Sequence, residues 1–66
     1  MKITLNGEQQ EMDADSTVAD LLASAGYRDK RVAVEINHRI VSRSAHADYR
    51  IQAGDRIEIV HAIGGG

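Results

Sequence analysis

The chain contains no cysteine, so neither a disulfide nor a thiolate metal site can supplement its core. Phe and Trp are absent too, which leaves Ile, Leu, Val and Ala to build that core. Such a core holds a small fold together and leaves little room for an internal ligand cavity. No apolar run approaches the ~20 residues that cross a bilayer. The first residues, Met1-Lys2-Ile3-Thr4-Leu5, alternate polar and apolar where a secretory leader would carry an apolar stretch. Cytoplasmic residence is the expectation, with no membrane partner. A basic excess is also missing, since the formal net charge is −2. Nucleic-acid binding usually needs a basic patch interleaved with stacking aromatics. Here Tyr27 and Tyr49 lie far apart, and the basic cluster Arg28 to Arg31 is interrupted by Asp29 and reads as a solvated turn. At 66 residues the chain makes one domain, near the size where a single core only just offsets chain entropy. It is too small for most self-contained enzymes.

What is present is a run of strong local signals. Lys2-Ile3-Thr4-Leu5 alternates as a half-buried strand does, with Ile3 and Leu5 inward. Asn6-Gly7 is a hairpin signal, because a tight two-residue turn needs positive φ at both positions. A second, antiparallel strand is expected around Gln9 to Met12. Thr17 and Asp20 have the spacing of a reciprocal helix cap. Val18, Leu21, Leu22 and Ala25 then form one apolar stripe, and Gly26 suits the left-handed residue that ends a helix. A helix this short depends on a sheet to cover its apolar face.

Val32 to Ile36 predicts a strand with Val32, Val34 and Ile36 on one face. Asn37-His38 offers a turn and Ile40-Val41 a short return strand. Residues 42–50 lack a clean period and predict a loop with a helical turn. Ala53-Gly54-Asp55 is a turn, and Arg56 to Val60 a last strand with Ile57 and Ile59 inward. The order, hairpin then helix then further strands, predicts an α+β fold of the β-grasp type. Its mixed sheet should have four to five strands, with one main helix across one face. The first and last long strands should lie parallel at the centre. Residues 1–63 form the expected domain and 64–66 a flexible C-terminal glycine tail.

Gly64-Gly65-Gly66 is poor material for structure, since glycine loses the most backbone entropy on ordering and has no side chain to pack. It is good material for reach. Three residues extend about 10 Å, and without Cβ atoms they pass through a slot closed to other sequences. Ordering them costs about 1–2 kcal/mol per residue, so affinity must come from a docking surface on the folded part. A terminal carboxylate is ionised at neutral pH and a poor electrophile until activated, for instance as an acyl-adenylate. A sulfide equivalent would turn such an adenylate into a thiocarboxylate, and a lysine amine would turn it into an isopeptide.

Six segments stand in order along the chain: Ile3-Thr4-Leu5-Asn6-Gly7, Thr17-Val18-Ala19-Asp20-Leu21-Leu22, Val32-Ala33-Val34-Glu35-Ile36-Asn37, Ile40-Val41-Ser42-Arg43, Gly54-Asp55-Arg56-Ile57-Glu58-Ile59-Val60 and Ile63-Gly64-Gly65-Gly66. Together they resemble the ThiS family of sulfur carrier proteins in thiamin biosynthesis, within the wider ubiquitin-like β-grasp group. Their order, the length and the terminal glycines carry the likeness over the whole chain. The resemblance implies a non-enzymatic carrier that binds no cofactor. A ThiF-type adenylyltransferase would use ATP to activate the Gly66 carboxylate. Sulfur-relay proteins would convert it to a thiocarboxylate, and a ThiG-type thiazole synthase would accept the sulfur. Gly65 and Gly66 match the family's diglycine end, and Gly64 adds a third glycine also seen there. Ser42 departs from the proline that family members often carry before the arginine, which touches loop geometry and not chemistry. The rival readings are the small subunit of molybdopterin synthase, a ubiquitin-like modifier joined to lysines, and an interaction domain whose tail does no chemistry.

Other candidates are weaker. His38, His46 and His61 have no metal-site spacing and read as surface or edge residues. Ser16 and Ser24 lack a nucleophile motif, and Arg39 and Arg43 read as solvated charges that could add to docking. With Ile57 and Ile59 inward, Arg56, Glu58, Val60 and Ala62 point outward. Glu58, Val60 and Ala62 are therefore the expected part of a docking surface beside the tail.

Overall fold

The first strand, β1 (Lys2–Leu5), buries Ile3 and Leu5 as the alternation predicts. The computed structural model describes residues 1–61; Ala62, Ile63 and the expected tail Gly64, Gly65 and Gly66 lie outside the described residues. Asn6 and Gly7 take φ of 50° and 86°, the positive pair a two-residue hairpin turn needs. This turn has no slack, so Leu5 faces Glu8 and β2 runs Glu8–Glu11, one residue earlier than the expected Gln9 to Met12.

The helix α1 (Val18–Ser24) opens with both halves of the predicted cap. The Thr17 N–H donates to Asp20 Oδ2 at 2.9 Å, and the Asp20 N–H donates to Thr17 Oγ1 at 3.2 Å. Val18, Leu21 and Leu22 are buried. The fourth stripe residue, Ala25, is exposed, because the helix stops at Ser24 and Ala25 serves as its C-cap. Gly26 then adopts φ 86° and turns the chain away, as a helix-ending glycine should. The helix is not of membrane-spanning length and polarity, and none among the described residues is.

After the helix come β3 (Val32–Ile36) and β4 (Arg39–Val41), joined by Asn37 and His38 at φ 52° and 69°. A single 3-10 turn, Arg43–Ala45, supplies the helical turn expected in the aperiodic segment. The last strand, β5 (Arg56–His61), enters the middle of the sheet, giving the order β2-β1-β5-β3-β4. β5 is parallel to β1 and antiparallel to β3. This is the β-grasp arrangement: among the described residues, five strands with the helix on one face.

Ile3, Leu5, Val34, Ile36, Ile57 and Ile59 meet Val18, Leu21 and Leu22 in one cluster. Sequence periodicity did not anticipate Ile51, which is 3% exposed and enters the core from the long loop. Its N–H donates to the Ser16 carbonyl at 2.9 Å, and Thr17 forms an isolated bridge with Arg50. These contacts pin the loop beneath the start of the helix.

Candidate functional site

β5 leads toward the glycines, so its surroundings define the candidate site. Its alternation of Ile57 and Ile59 with Arg56, Glu58 and Val60 buries one side and exposes the other. On the β1 side, ladder pairing reaches only Leu5–Ile57. One further rung comes from a side chain: Asn6 Oδ1 accepts the Ile59 N–H at 2.8 Å. Beyond it, Val60 and His61 pair with β3 alone, opposite Ala33 and Val32. The start of β5 is fixed by a second set of side-chain bonds. Asn37 Oδ1 accepts the Arg56 N–H at 3.0 Å, and Asn37 Nδ2 donates to Asp55 Oδ1 at 3.0 Å. The other Asp55 oxygen accepts the Gln52 N–H at 2.8 Å. Asp55 is buried, and these donors satisfy both of its oxygens.

The outward face places Glu58 and Val60 where the strand period puts them, and Val60 is 55% exposed. Ala62, the third expected docking residue, lies outside the described residues. The register adds two residues that sequence reasoning missed. Glu35 on β3 lies directly opposite Glu58, and Ile40 on β4 lies directly opposite Glu35. Ile40 is 76% exposed. Among the described residues neither carboxylate receives a hydrogen bond or ion pair; the ion pairs present join Met1 to Glu11 and Arg50 to Asp15. Strand alternation could have flagged Ile40 as outward only once the start of β4 at Arg39 was known.

The end of β5 carries His61, whose ring meets Tyr27 edge-on with centroids 6.2 Å apart. Because Val32 pairs with His61, the exposed loop of Arg28, Asp29 and Lys30 enters β3 at this same end of the sheet. The three histidines are not brought together. His38 sits in the β3–β4 turn, at the other end of β3 from His61. His46 corrects the surface reading: it is buried, with Nε2 3.1 Å from the Val41 carbonyl. The fold places it under the 3-10 turn, where its own carbonyl accepts the Ala19 N–H at 2.9 Å. No group of His, Cys, Asp or Glu among the described residues is arranged to hold a metal ion. A hollow beside Met1, Met12 and Asp13 opens where β1 starts, away from the end of β5.

The model of the ThiS family matches residues 3–66. The chain belongs to the ThiS family. The sulfur carrier protein ThiS of Bacillus subtilis is 38% identical over 65 residues, covering 97% of this chain and 98% of that protein. A thiazole synthase of Magnetococcus marinus is 46% identical over all 66 residues of this chain, which spans 20% of that relative's length. Among solved structures, the crystal structure of the thiamine biosynthesis protein ThiS from Geobacter metallireducens superposes with a TM-score of 0.84. It is 29% identical, with both chains fully covered. The β-grasp expectation therefore holds over residues 1–61 and the family resemblance over residues 3–66, and the relatives of matching length from Bacillus subtilis and Escherichia coli are named sulfur carrier proteins.

Proposed function

We propose that this chain is a sulfur carrier protein of thiamin biosynthesis, a protein substrate of other enzymes and itself no catalyst. The reading is carried by the family match over residues 3–66, which runs through the terminal glycines. In this reading the Gly66 carboxylate attacks the α-phosphorus of ATP on a ThiF-type adenylyltransferase. Pyrophosphate leaves, and the carboxylate becomes an acyl-adenylate. A sulfide equivalent supplied by relay proteins attacks the acyl carbon and AMP leaves with one of the former carboxylate oxygens, so sulfur stands in its place. A ThiG-type thiazole synthase then takes the sulfur. Support for that acceptor comes from the Magnetococcus marinus thiazole synthase, one fifth of which matches this chain. The carrier needs no cofactor of its own, because ATP is spent by the partner. Gly64 and Gly65 form the thin tether, the domain of residues 1–63 is the handle, and Glu58, Val60 and Ala62 contribute to docking. Cytoplasmic residence fits a chain that meets ATP-dependent enzymes.

Intact mass tests this directly. The chain incubated with ATP, an adenylating partner and a sulfur source should gain about 16 Da, the difference between sulfur and oxygen. Deleting Gly66 should abolish the gain and leave the thermal midpoint unchanged. A persistent unmodified mass, or adducts joined through lysines of other proteins, would favour an interaction domain or a ubiquitin-like modifier. Transfer of the sulfur to a pterin acceptor and not to a thiazole precursor would favour the molybdopterin synthase small subunit.

A further inference from the structure

We propose that Lys30 is an acyl acceptor for this chain's own activated C-terminus, closing an isopeptide bond to Gly66 when no sulfur nucleophile arrives. The inference rests on the carrier reading above and adds a modification site that competes with sulfur loading.

Few side chains here can take an acyl group. Of the eight lysines and arginines only Lys2 and Lys30 are lysines. The others carry a guanidinium that stays protonated and makes a poor nucleophile. The fold sends the two lysines to opposite ends of the sheet. Lys2 opens β1, and its carbonyl accepts the Gly54 N–H at 2.7 Å, just ahead of β5. The six residues of β5 then span roughly 17 Å before the strand ends at His61. Lys30 lies at that far end. Val32 pairs with His61, the Tyr27 ring meets the His61 ring, and the Lys30 N–H donates to the Tyr27 carbonyl at 3.0 Å. Fastened at Tyr27 and at Val32, the turn carries an exposed Lys30 close to the point where β5 ends.

Distance decides between the two amines. Paired strand residues lie about 5 Å apart and two residues of chain add at most about 7 Å, so the Lys30 Cα is within about 12 Å of the His61 Cα. Residues 62–66, three of them glycine, cover at most about 17 Å. A glycine-rich chain of five residues has an r.m.s. end-to-end distance of about 12 Å. Intramolecular reaction is fastest where that length matches the span, and the match falls on Lys30. Reaching Lys2 would need the same residues drawn out almost straight.

The step is aminolysis of the acyl-adenylate. The Lys30 Nζ electron pair attacks the Gly66 acyl carbon, the bond from that carbon to the AMP oxygen breaks, and AMP leaves with the electrons. The amine loses a proton to water, and no oxidant or reductant takes part. ATP consumed by the adenylating partner supplies the driving force. Arg28 and Arg31 flank Lys30 and form no ion pair among the described residues, so the adenylate's phosphate is drawn to the same turn. A sulfide equivalent attacks the same carbon, which makes the two products alternatives.

The test incubates the full chain with ATP and the adenylating enzyme, without a sulfur source, and reads intact mass. A form about 18 Da lighter than the chain should accumulate, and tandem mass spectrometry should join Gly66 to Lys30. Adding the sulfur source should deplete it in favour of the form about 16 Da heavier. Lys30→Arg should abolish the lighter form and leave both ATP–pyrophosphate exchange and the melting temperature unchanged, whereas Lys2→Arg should retain it. A lighter form that survives Lys30→Arg, or a link mapped to Lys2 or to the Met1 amine, overturns the assignment. Sustained exchange by the wild type with no lighter form overturns it too. Covalent dimers in place of the lighter form, their yield rising with chain concentration, would sink the intramolecular step. No exchange by the wild type sinks the carrier reading, and this site with it.

Discussion

The two faces of one sheet obey different rules. The inward face carries Ile3, Leu5, Val34, Ile36, Ile57 and Ile59, closed against the helix; the polar residues paired with them, Glu8, Gln10 and Arg39, lie on the two edge strands. The outward face of the same strands opposes Glu35 to Glu58 and leaves Ile40 and Val60 in water. The clustered inward residues favour the isolated fold, whereas the opposed outward acids work against it and the exposed aliphatics are indifferent to it. Residues that lower the stability of the free domain and have no packing role are best explained by what the domain meets. The contrast separates the handle from the grip.

The largest expected effect lies inward. Ile57 is completely buried, so Ile57→Ala should lower stability by ~2–5 kcal/mol. For a domain of this size that shifts the thermal midpoint by ten degrees or more, read by circular dichroism. Val60→Asp, outward on the same strand, should change stability by no more than ~0.5 kcal/mol. It should nonetheless weaken the adenylating partner's affinity. Comparable melting losses for the two variants would erase the distinction between the faces.

An intermediate effect is expected where polar groups are buried. Asp55→Ala strands the Asn37 amide and the Gln52 N–H, and should cost ~1–3 kcal/mol. Hydrogen exchange should then show the start of β5 opening before the rest of the sheet, which would place this lock on the side of the handle.

The smallest effect concerns the helix cap. Thr17→Ala should cost ~1 kcal/mol. The Thr17 backbone N–H, and secondarily its side chain, hold the Asp20 carboxyl below its ordinary value of 3.8. A carboxyl lowered in the folded state stabilises the fold above that ordinary value, and the contribution fades as pH falls through the lowered one. Thermal midpoints measured across this acid range should therefore fall less steeply for Asp20→Asn than for the wild type.

Local signals made most of the fold legible in advance. Asn6-Gly7 announced its turn because few residues tolerate two positive φ values, and Thr17 with Asp20 announced the helix start through short-range hydrogen bonds. Ile51 was not legible, because a lone apolar residue in an aperiodic loop has no period to betray it. His46 was missed for a related reason: its burial depends on the 3-10 turn folding over the Val41 carbonyl. The paired acids needed more than alternation. That Glu58 points outward follows from strand period alone, but that it faces Glu35 depends on register between strands distant in sequence. Tertiary register, and not residue type, turned two ordinary surface acids into a feature.

The outer edge beside β1 has a consequence for concentrated solutions. β2 is Glu8-Gln9-Gln10-Glu11, every residue exposed and none apolar. An open strand edge is a template on which other chains can polymerise, and charge without apolar side chains is a common defence. The opposite edge, β4, is only three residues long. That edge does carry the exposed Ile40, so there shortness, and not charge, limits how much template the domain offers.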